Sequence, residues 1–532
     1  MSTHARVVFL LLTVAFAGVA FAQNFTVHCH WGATAPTAQP NSRNVISTPV
    51  VLNLRGTGSS SQVAFISYEK TSQLANDGEG VLRVMDAQCQ ELARFPDPAC
   101  TVPPLQNAPN GFGGNPLLAP VSGLAAGDLD RDGIPEIVAV IGDGTNPHRQ
   151  LAAFNLVGNC LAPRWVSADT LPVNDAIAPA APAIAQLDRP GGSGLTVPWD
   201  HAEVIVDNKI YDSNGSRRFT AFSFQNYCGN APCPRSRTAI AALLPGHVLP
   251  GIITGRGIYR SQGGTTWHMS FGPAVNIMSA MSNSGLTYPA VAELDGSSVG
   301  PEIVVVDTLQ GPGGTLRGTL WVLRASGATL ASTPISGAQC GGPPMIGNAD
   351  GIAGPEIGVA TCNAYTLYRY DSNSHTITPV WSRAISDLSG QTTSTLYNGP
   401  QGARIVYADE ARLYILDGAT GAIRQQIPNG SATAFEGPVV ASFDTGHPAA
   451  RCAMSKGRLV VAANDGSGGS IRGVRIFHDA TGDIGNVGSC WNENAFHVTN
   501  VSTGAGLIPQ FEAPSWVSAS PARNTYRVQA WP

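Results

Sequence analysis

The chain has 532 residues and a formal net charge of −5, and only 13% of its residues are charged. This small negative charge gives no electrostatic footprint for nucleic acid or for an anionic membrane surface. The 60 glycines and 39 prolines are typical of an all-β chain with many turns.

The first 22 residues have the features of a signal peptide. Arg6 supplies a positive start, residues 7–20 form an apolar run, and Ala20-Phe21-Ala22 is a cleavage site of the A-x-A type. The apolar run is too short to span a bilayer comfortably, and no later stretch reaches ~18 uninterrupted apolar residues. We therefore expect a protein that is secreted/extracellular or at the cell surface, exported through residues 1–22 and without a transmembrane segment.

Ten cysteines follow the predicted signal peptide, and an even set in an oxidising compartment indicates disulfides. Connectivity does not follow from sequence, although close spacing suggests four pairs and leaves Cys29 and Cys160. The four pairs are Cys89–Cys100, Cys228–Cys233, Cys340–Cys362 and Cys452–Cys490.

Cys29 lies between two histidines, in the sequence His28-Cys29-His30-Trp31. Alternation along a strand would place His28 and His30 on one face, where they could bind copper or zinc. The alternative, which we favour, is a strand that closes a sheet, with Cys29 in a disulfide. Residues 23–44 are accordingly predicted to be an N-terminal strand or closing segment.

The segment 128–136 has the pattern of a cation-binding loop between two strands. It reads Asp-Leu-Asp-Arg-Asp-Gly-Ile-Pro-Glu and runs into the β-branched sequence of residues 137–140. Acids at alternate positions gather oxygens around one point, and calcium takes about six to eight oxygen ligands. Gly133 lies where the loop must turn sharply. No helix-period pattern flanks the loop, which excludes an EF-hand.

Weaker copies of this strand-loop-strand unit recur along the chain. After Asp130, the anchor residues of the copies are Asp188, Asp295, Asp350, Asn398 and Asp444. Residues 49–66 and 239–254 supply two further copies, which gives eight units. Many units continue with a third strand, for example residues 81–86 and 413–418.

Three or four short strands in every ~40–50 residues are typical of a β-propeller. We predict an all-β propeller of four-stranded antiparallel blades over residues 45–480, with residues 481–532 as a C-terminal closing segment. Eight blades are favoured and seven are the alternative. A tandem array of sandwiches would need longer units, near ~100 residues.

Residues 126–133, preceded by Gly111-Phe112-Gly113-Gly114, resemble the FG-GAP repeat. That repeat builds the calcium-binding β-propeller of integrin α subunits and of secreted bacterial proteins of the FG-GAP/VCBS type. The resemblance extends over residues 45–480 and is closest in the second unit. It implies calcium as the bound ion.

The resemblance also implies a ligand set for the ion. Side chains would come from Asp128, Asp130, Asp132 and Glu136, and Ile134 would offer its backbone carbonyl. A weaker second site would use Glu293, Asp295 and Glu302. Two other copies depart from the pattern, because Gln186 replaces the first acid of the third unit and Ile352 lies where Asp132 would be.

Two functions are consistent with this pattern. The first is a calcium-stabilised binding or cell-adhesion protein that recognises an extracellular carbohydrate or protein through one propeller face. The alternative is an exported polysaccharide-degrading enzyme, similar to calcium-dependent rhamnogalacturonan lyases. No G-x-S-x-G, H-E-x-x-H or P-loop motif occurs, and no catalytic residue is assigned.

Aromatic and histidine side chains offer two further hypotheses. The aromatics Trp267, Trp321, Tyr368 and Trp381 could line a sugar groove, but packing between blades is favoured because they fall in separate units. The tail from Trp491 onward is predicted to be an ordered plug or closing strand, and its histidine is a less favoured catalytic candidate.

Overall fold

The computed structural model describes the greater part of residues 25–529. The described ranges are 25–56, 60–70, 80–100, 117–142, 149–171, 181–187, 202–206, 209–220, 238–241, 243, 251–253, 257–261, 271–276, 286–296, 300–310, 316–335, 341–387, 390–433, 435–443, 454–497 and 525–529. The predicted signal peptide, Asp188, Asp444 and Trp267 lie outside them.

All regular secondary structure assigned in the described ranges is β-strand. Most strands form four-stranded antiparallel sets, here called blades 1 to 8. Blade 1 contains β2 (Val50–Leu52), β3 (Gln62–Tyr68), β4 (Gly80–Met85) and β5 (Glu91–Phe95), and blade 2 contains β7 (Ala125–Gly127), β8 (Glu136–Gly142), β9 (Arg149–Val157) and β10 (Cys160–Val166). Blade 3 contains β11 (Ala183–Ala185), β12 (Glu203–Val206), β13 (Lys209–Tyr211) and β14 (Arg217–Thr220), and blade 4 contains β15 (Ala239–Ala241), β16 (Gly251–Ile253), β17 (Gly257–Ser261) and β18 (Phe271–Asn276). Blade 5 contains β19 (Leu286–Ala292), β20 (Glu302–Gln310), β21 (Leu316–Leu323) and β22 (Thr329–Pro334), and blade 6 contains β23 (Met345–Gly347), β24 (Glu356–Ala360), β25 (Ala364–Asp371) and β26 (Thr376–Ala384). Blade 7 contains β27 (Thr395–Gly399), β28 (Gly402–Ala408), β29 (Arg412–Asp417) and β30 (Ile423–Pro428), and blade 8 contains β31 (Val439–Ser442), β32 (Met454–Ala463), β33 (Gly473–Asp479) and β1 (Phe25–Trp31).

Three short strands lie outside these sets. They are β6 (Leu117–Leu118), β34 (Asn486–Gly488) and β35 (Val528–Gln529). The first joins blades 1 and 2 by pairing with β4 and β8, the second pairs with β32, and the third pairs in parallel with β27.

The second strand of a blade is buried on both faces. All seven residues of β8 are buried, and the sequence reads as an unbroken apolar run from Ile137 to Ile141. The outermost strands instead alternate between exposed and buried residues, as in β30. This difference follows from face-to-face packing of blades, because neighbouring sheets cover both faces of the middle strands.

Shared apolar cores join the blades into a closed ring. One core contains side chains of blades 8, 1 and 2, and the next two join blade 2 to 3 and blade 3 to 4. Further cores join blades 4, 5 and 6, then blades 6 and 7, and finally blades 7 and 8. The series returns to its starting blade, so the all-β propeller class is confirmed.

The N-terminal strand completes the last blade. β1 pairs antiparallel with β33, with Phe25 opposite Asp479 and Trp31 opposite Val474. Blade 8 therefore combines residues from both ends of the propeller sequence. The described strands form eight four-stranded sets, while the blade number and the domain boundaries stay predictions.

The described parts of the C-terminal segment, residues 489–497 and 525–529, contact the first strands of several blades. Trp491 pairs with Val51 of blade 1, and Tyr526 pairs with Ile346 of blade 6. The Glu493 carboxylate accepts a 3.0 Å hydrogen bond from the backbone N–H of Ile184 in blade 3. The tail thus contacts strands on opposite sides of the ring.

The disulfides differ from the pairs that close spacing suggested. Cys29 bonds to Cys89, and Cys100 bonds to Cys160, so the predicted pair Cys89–Cys100 is wrong. Each bond spans 60 residues of sequence and joins adjacent blades. Spacing failed because the nearest cysteine in space lies across a blade boundary. Cys362 is also bonded, as is Cys490; their suggested partners and the pair Cys228–Cys233 lie outside the described residues.

The histidine pair around Cys29 follows the favoured alternative. A register shift between Val27 and Cys29 breaks the alternation that would have aligned His28 with His30. The His30 ring instead lies 2.7 Å from the backbone carbonyl of Arg472. β1 closes a sheet, with its cysteine in a disulfide.

Outer-strand tryptophans pack against the following blade. A Cβ atom on Gly421, in the turn after β29, would lie 2.5 Å from the Trp381 ring. A Cβ atom on Gly215, in the turn after β13, would likewise lie 2.4 Å from the Trp165 ring. Both glycines have positive φ, +65° and +79°. The packing interpretation therefore holds for Trp381.

Among the described residues, no helix is long and apolar enough to cross a membrane.

Candidate metal centre

The acidic loop 128–135 joins the first two strands of blade 2. It is held between β7 and β8, whose register pairs Gly127 with Glu136. Gly133 has φ +87°, and no atom lies within 4 Å of the position that its Cβ would occupy. The glycine is therefore required by its backbone conformation rather than by lack of space.

Glu136 fixes the backbone of this loop from inside the blade. Its side chain is fully buried, and Oε2 accepts a 2.8 Å hydrogen bond from the Leu129 N–H. A glutamate at the start of the second strand forms the same bond in three other blades. These bonds are Leu187 N–H to Glu203 at 2.8 Å, Leu294 N–H to Glu302 at 2.7 Å and Ala349 N–H to Glu356 at 2.8 Å.

Three of the predicted ligand side chains meet at one point. Asp128, Asp130 and Glu136 each offer a carboxylate oxygen, and these oxygens lie within 4.8 Å of one another. Asp132 is more peripheral, because its side chain is 44% exposed, and its Oδ1 accepts the Ile134 N–H at 2.8 Å. Ile134 lies in the loop with its side chain 36% exposed.

Asp128 has one carboxylate oxygen without a donor. Its Oδ2 accepts the Gly133 N–H at 3.0 Å, whereas Oδ1 is buried and has no hydrogen-bond partner. The side chain is only 2% exposed. A buried carboxylate oxygen needs a cation or a donor to offset its lost hydration.

Burial raises the pKa of the central carboxyls. The pKa of Asp128 is raised mainly by desolvation. Desolvation likewise raises the pKa of Glu136 to about 7, although hydrogen bonds from Leu129 and Asn155 oppose the shift. Charged carboxylates at this place therefore need a nearby positive charge.

Arg164, from the fourth strand β10, supplies one such charge. Its guanidinium donates to Glu136 Oε1 at 2.8 Å and is also bonded to Asp130 Oδ2. The distance from its Nη1 to Asp132 Oδ2 is 3.9 Å. The Arg164 side chain is 30% exposed.

The second predicted site also forms a carboxylate cluster. In blade 5, oxygens of Glu293, Asp295 and Glu302 lie within 4.8 Å of one another. Desolvation raises the pKa of Glu293 to about 7 and that of Glu302 to about 8. The negative charges of Glu293 and Asp295 add to the shift of Glu302.

The blade 6 loop has the same glutamate-to-backbone hydrogen bond but different charged side chains. Asn348 replaces the first acid, and its Oδ1 accepts the Gly351 N–H at 2.7 Å. Arg369 donates to Glu356 Oε1 at 2.6 Å and is bonded to Asp350 Oδ2. An arginine therefore binds the remaining acids of this loop.

The donor set of blade 2 fits a hard cation. Carboxylate oxygens are the ligands that calcium prefers, and Oδ1 of Asp128 is buried and accepts no hydrogen bond. Asp130 and Glu136 fit as well, but their oxygens are shared with Arg164. The identity of the ion is not fixed by this arrangement.

The sequence did not predict that Arg164 and Arg369 contact the acidic loops, nor that the glutamates accept hydrogen bonds from the loop backbone. Arg164 lies 28 residues after Glu136 on a fourth strand, whereas Arg369 lies 13 residues after Glu356 on a third strand. No constant spacing signals such a contact. The glutamates did have a signal, because residues 135–136, 301–302 and 355–356 all read Pro-Glu before a β-branched residue.

Comparisons with known proteins support the fold. A scan against protein-family models and a search of curated proteins found no match. The chain is similar in structure to the V. cholerae biofilm matrix protein Bap1, with a TM-score of 0.63 and 15% identity over 96% of this chain and 99% of Bap1.

Two further structures are more distant. The B. licheniformis rhamnogalacturonan lyase PL11 has a TM-score of 0.46 and 14% identity, over 87% of this chain and 76% of the lyase. The Dos1 propeller has a TM-score of 0.43 and 11% identity, over 82% of this chain and 93% of the propeller. The likeness to Bap1 shows the fold alone, and the FG-GAP resemblance stays a prediction.

Proposed function

We propose that this chain is an extracellular, calcium-stabilised β-propeller that binds a carbohydrate or protein ligand through one end of the ring. That end is the loop face, defined here by the connections between the first and second strands and between the third and fourth strands of each blade. These connections share one end because the strands of a blade are antiparallel and consecutive.

The distribution of exposed apolar side chains carries this proposal. The described residues include five large hydrophobic side chains that are exposed, and four of them lie on the loop face. Ile134 and Ile352 are in first loops, Val157 is at the turn after β9, and Met454 begins β32. Their exposed fractions are 36%, 57%, 62% and 38%. Such residues favour contact with a partner when they collect on one face.

The acidic loops of blades 2 and 5 lie on the same end. A cation bound there would fix the loop backbone, and calcium ligands that the protein does not supply come from water or from a bound ligand. Two disulfides join adjacent blades, which is typical of proteins that leave the cytoplasm. Export through residues 1–22 is part of the proposal.

Binding is tested on an array of extracellular polysaccharides and matrix proteins, with calcium and with EGTA. We expect retention of at least one class of ligand in calcium. The double variant Ile134→Asp, Ile352→Asp should lose about tenfold or more in affinity, because two apolar contacts are replaced by charges. The matched control is Val27→Asp, since Val27 is 49% exposed on the outer edge strand β1.

Polysaccharide cleavage is the alternative outcome of the same experiment. Pectic substrates are incubated with the protein while absorbance of unsaturated uronate products is followed. Steady product release that the loop variants abolish would replace the binding function with a lyase function. Retention of the ligand without products supports binding.

A further inference from the structure

We propose that Arg164 is a displaceable internal cation of the blade 2 loop, and that a divalent cation binds by releasing its guanidinium from Asp130 and Glu136. The inference rests on the proposed metal site and adds the residue that sets the affinity of that site. Arg164 is a positioning residue in the metal-free protein and a competitor of the ion.

The contacts of Arg164 are those that a metal would need. Its guanidinium bonds to Asp130 Oδ2 and, at 2.8 Å, to Glu136 Oε1. Both residues belong to the three-carboxylate cluster of this loop. A cation between these carboxylates and a guanidinium bonded to two of them would repel each other, so binding of one disfavours the other.

The third carboxylate shows that the arginine does not complete the site. Asp128 is 2% exposed, and its Oδ1 accepts no hydrogen bond, although its negative charge stabilises the Arg164 guanidinium through space. The planar guanidinium therefore leaves one buried oxygen unsatisfied. A compact ion between the three carboxylates can reach that oxygen, which gives the exchange its driving force.

Arg164 also has a route out of the loop. Its side chain is 30% exposed, whereas Glu136 beneath it is fully buried. The guanidinium can therefore rotate to solvent without unfolding the blade, on the side of Asp132, whose side chain is 44% exposed and whose Oδ2 lies 3.9 Å from Nη1 of Arg164.

Blade 6 provides the internal comparison. Its loop also pairs an arginine with two acids, through Arg369, Asp350 and Glu356. Asn348 replaces the first aspartate, and its Oδ1 is satisfied by the Gly351 N–H. No orphaned buried carboxylate oxygen occurs among the described residues of this loop. We therefore expect Arg369 to stay bonded to Asp350 and Glu356 when calcium is added.

The test is calcium titration calorimetry on full-length protein freed of metal with EGTA, in an Asp295→Asn background that weakens the blade 5 cluster. The variant Arg164→Gln should bind calcium about tenfold more tightly than the background protein, because its competitor is removed. Arg164→Lys, which retains a charge without the two-pronged contact, should fall between them. Arg369→Gln is the matched control and should leave the calcium affinity unchanged.

The outcomes separate the exchange from the metal site itself. Tighter binding in Arg164→Gln but not in Arg369→Gln supports the exchange. If the background protein binds calcium and Arg164→Gln binds it equally or more weakly, the exchange is overturned, while the proposed metal site is still supported. If neither binds calcium, the proposed metal site fails and the exchange fails with it. If Arg164→Gln does not fold, an affinity of Arg164→Lys equal to that of the background protein overturns the exchange.

Discussion

At the scale of single residues, His497 makes the stability of the C-terminal segment depend on pH. Its side chain is 2% exposed and lies edge-on to the Tyr526 ring, 6.4 Å away. Burial lowers the pKa of His497 to about 3, because the charged imidazolium loses its hydration. The folded protein therefore holds this histidine neutral, which fits a packing role more closely than a proton-transfer role at neutral pH.

This pKa predicts the direction in which the stability of the folded protein changes with pH. Above pH 6.5 the histidine is neutral in both folded and unfolded chains and contributes no pH dependence. As the pH falls from 6.5 toward 3, the unfolded chain takes up a proton that the folded protein refuses, so stability is lost. We expect a contribution of about 1.4 kcal/mol per pH unit. Denaturant unfolding between pH 7 and pH 4.5 measures the slope, which should be shallower in His497→Gln; equal slopes would contradict the assignment.

A second residue-scale prediction concerns the glutamates that hold the loops. Glu356→Ala removes the acceptor of the Ala349 N–H and leaves Asp350 as the only acid bonded to the Arg369 guanidinium in this loop. Because Glu356 is fully buried, we expect a loss of about 2–4 kcal/mol in the free energy of unfolding. Gln88→Ala, at an exposed turn position, is the control with a change below about 0.5 kcal/mol. A change in Glu356→Ala as small as in the control would show that the loop does not need this bond.

At this scale the sequence predicted the acids and missed their partners. Asp128, Asp130 and Glu136 were placed together because their spacing is local, and the structure brings them within 4.8 Å. Arg164 was missed because it lies on a different strand, and its approach depends on how the whole blade twists. The suggested pair Cys89–Cys100 was wrong for the same reason, since contacts between blades have no local signal.

At the scale of elements, the turn between the third and fourth strands is where blades lock together. Gly421 combines φ +65° with a Cβ position 2.5 Å from the Trp381 ring. The indole also donates a 2.8 Å hydrogen bond to the Gly418 carbonyl, so it cannot move away freely. The repeat is thus stabilised by a glycine and a tryptophan that belong to different blades.

Two glycine substitutions separate backbone strain from this contact. Gly468 has φ +86° with nothing within 4 Å of its Cβ position, so Gly468→Ala should cost about 1 kcal/mol from the backbone alone. Gly421→Ala should cost about 1–3 kcal/mol more, because the ring must shift. Urea unfolding of both variants gives the difference. Equal losses would mean that Trp381 yields without penalty.

The strand pattern was the most predictable element-scale feature. The predicted copies at residues 49–66 and 239–254 cover the first two strands of blades 1 and 4, and the predicted third strands at residues 81–86 and 413–418 overlap β4 and β29. β-Branched runs and turn residues are local properties, which explains the agreement. The short strands β6 and β35 were not predicted, because each has only two residues.

At the scale of the whole molecule, closure of the ring depends on contacts between distant parts of the sequence. β1 completes blade 8, and Cys29–Cys89 ties this strand to blade 1 across 60 residues. The double variant Cys29→Ser, Cys89→Ser should lower the free energy of unfolding by about 4 kcal/mol in the chain-entropy estimate. Calorimetric unfolding under non-reducing conditions measures the loss. An unchanged melting temperature would show that the ring closes without this bond.

The central claim is that the acidic loops bind calcium in the native protein, and thermal unfolding tests it most directly. An ion that binds only the folded state raises the melting temperature in proportion to the logarithm of its concentration above Kd. We predict that millimolar calcium raises the melting temperature relative to EGTA, and that Asp128→Asn with Asp130→Ala removes most of the rise. Identical melting temperatures in calcium and EGTA would contradict the account.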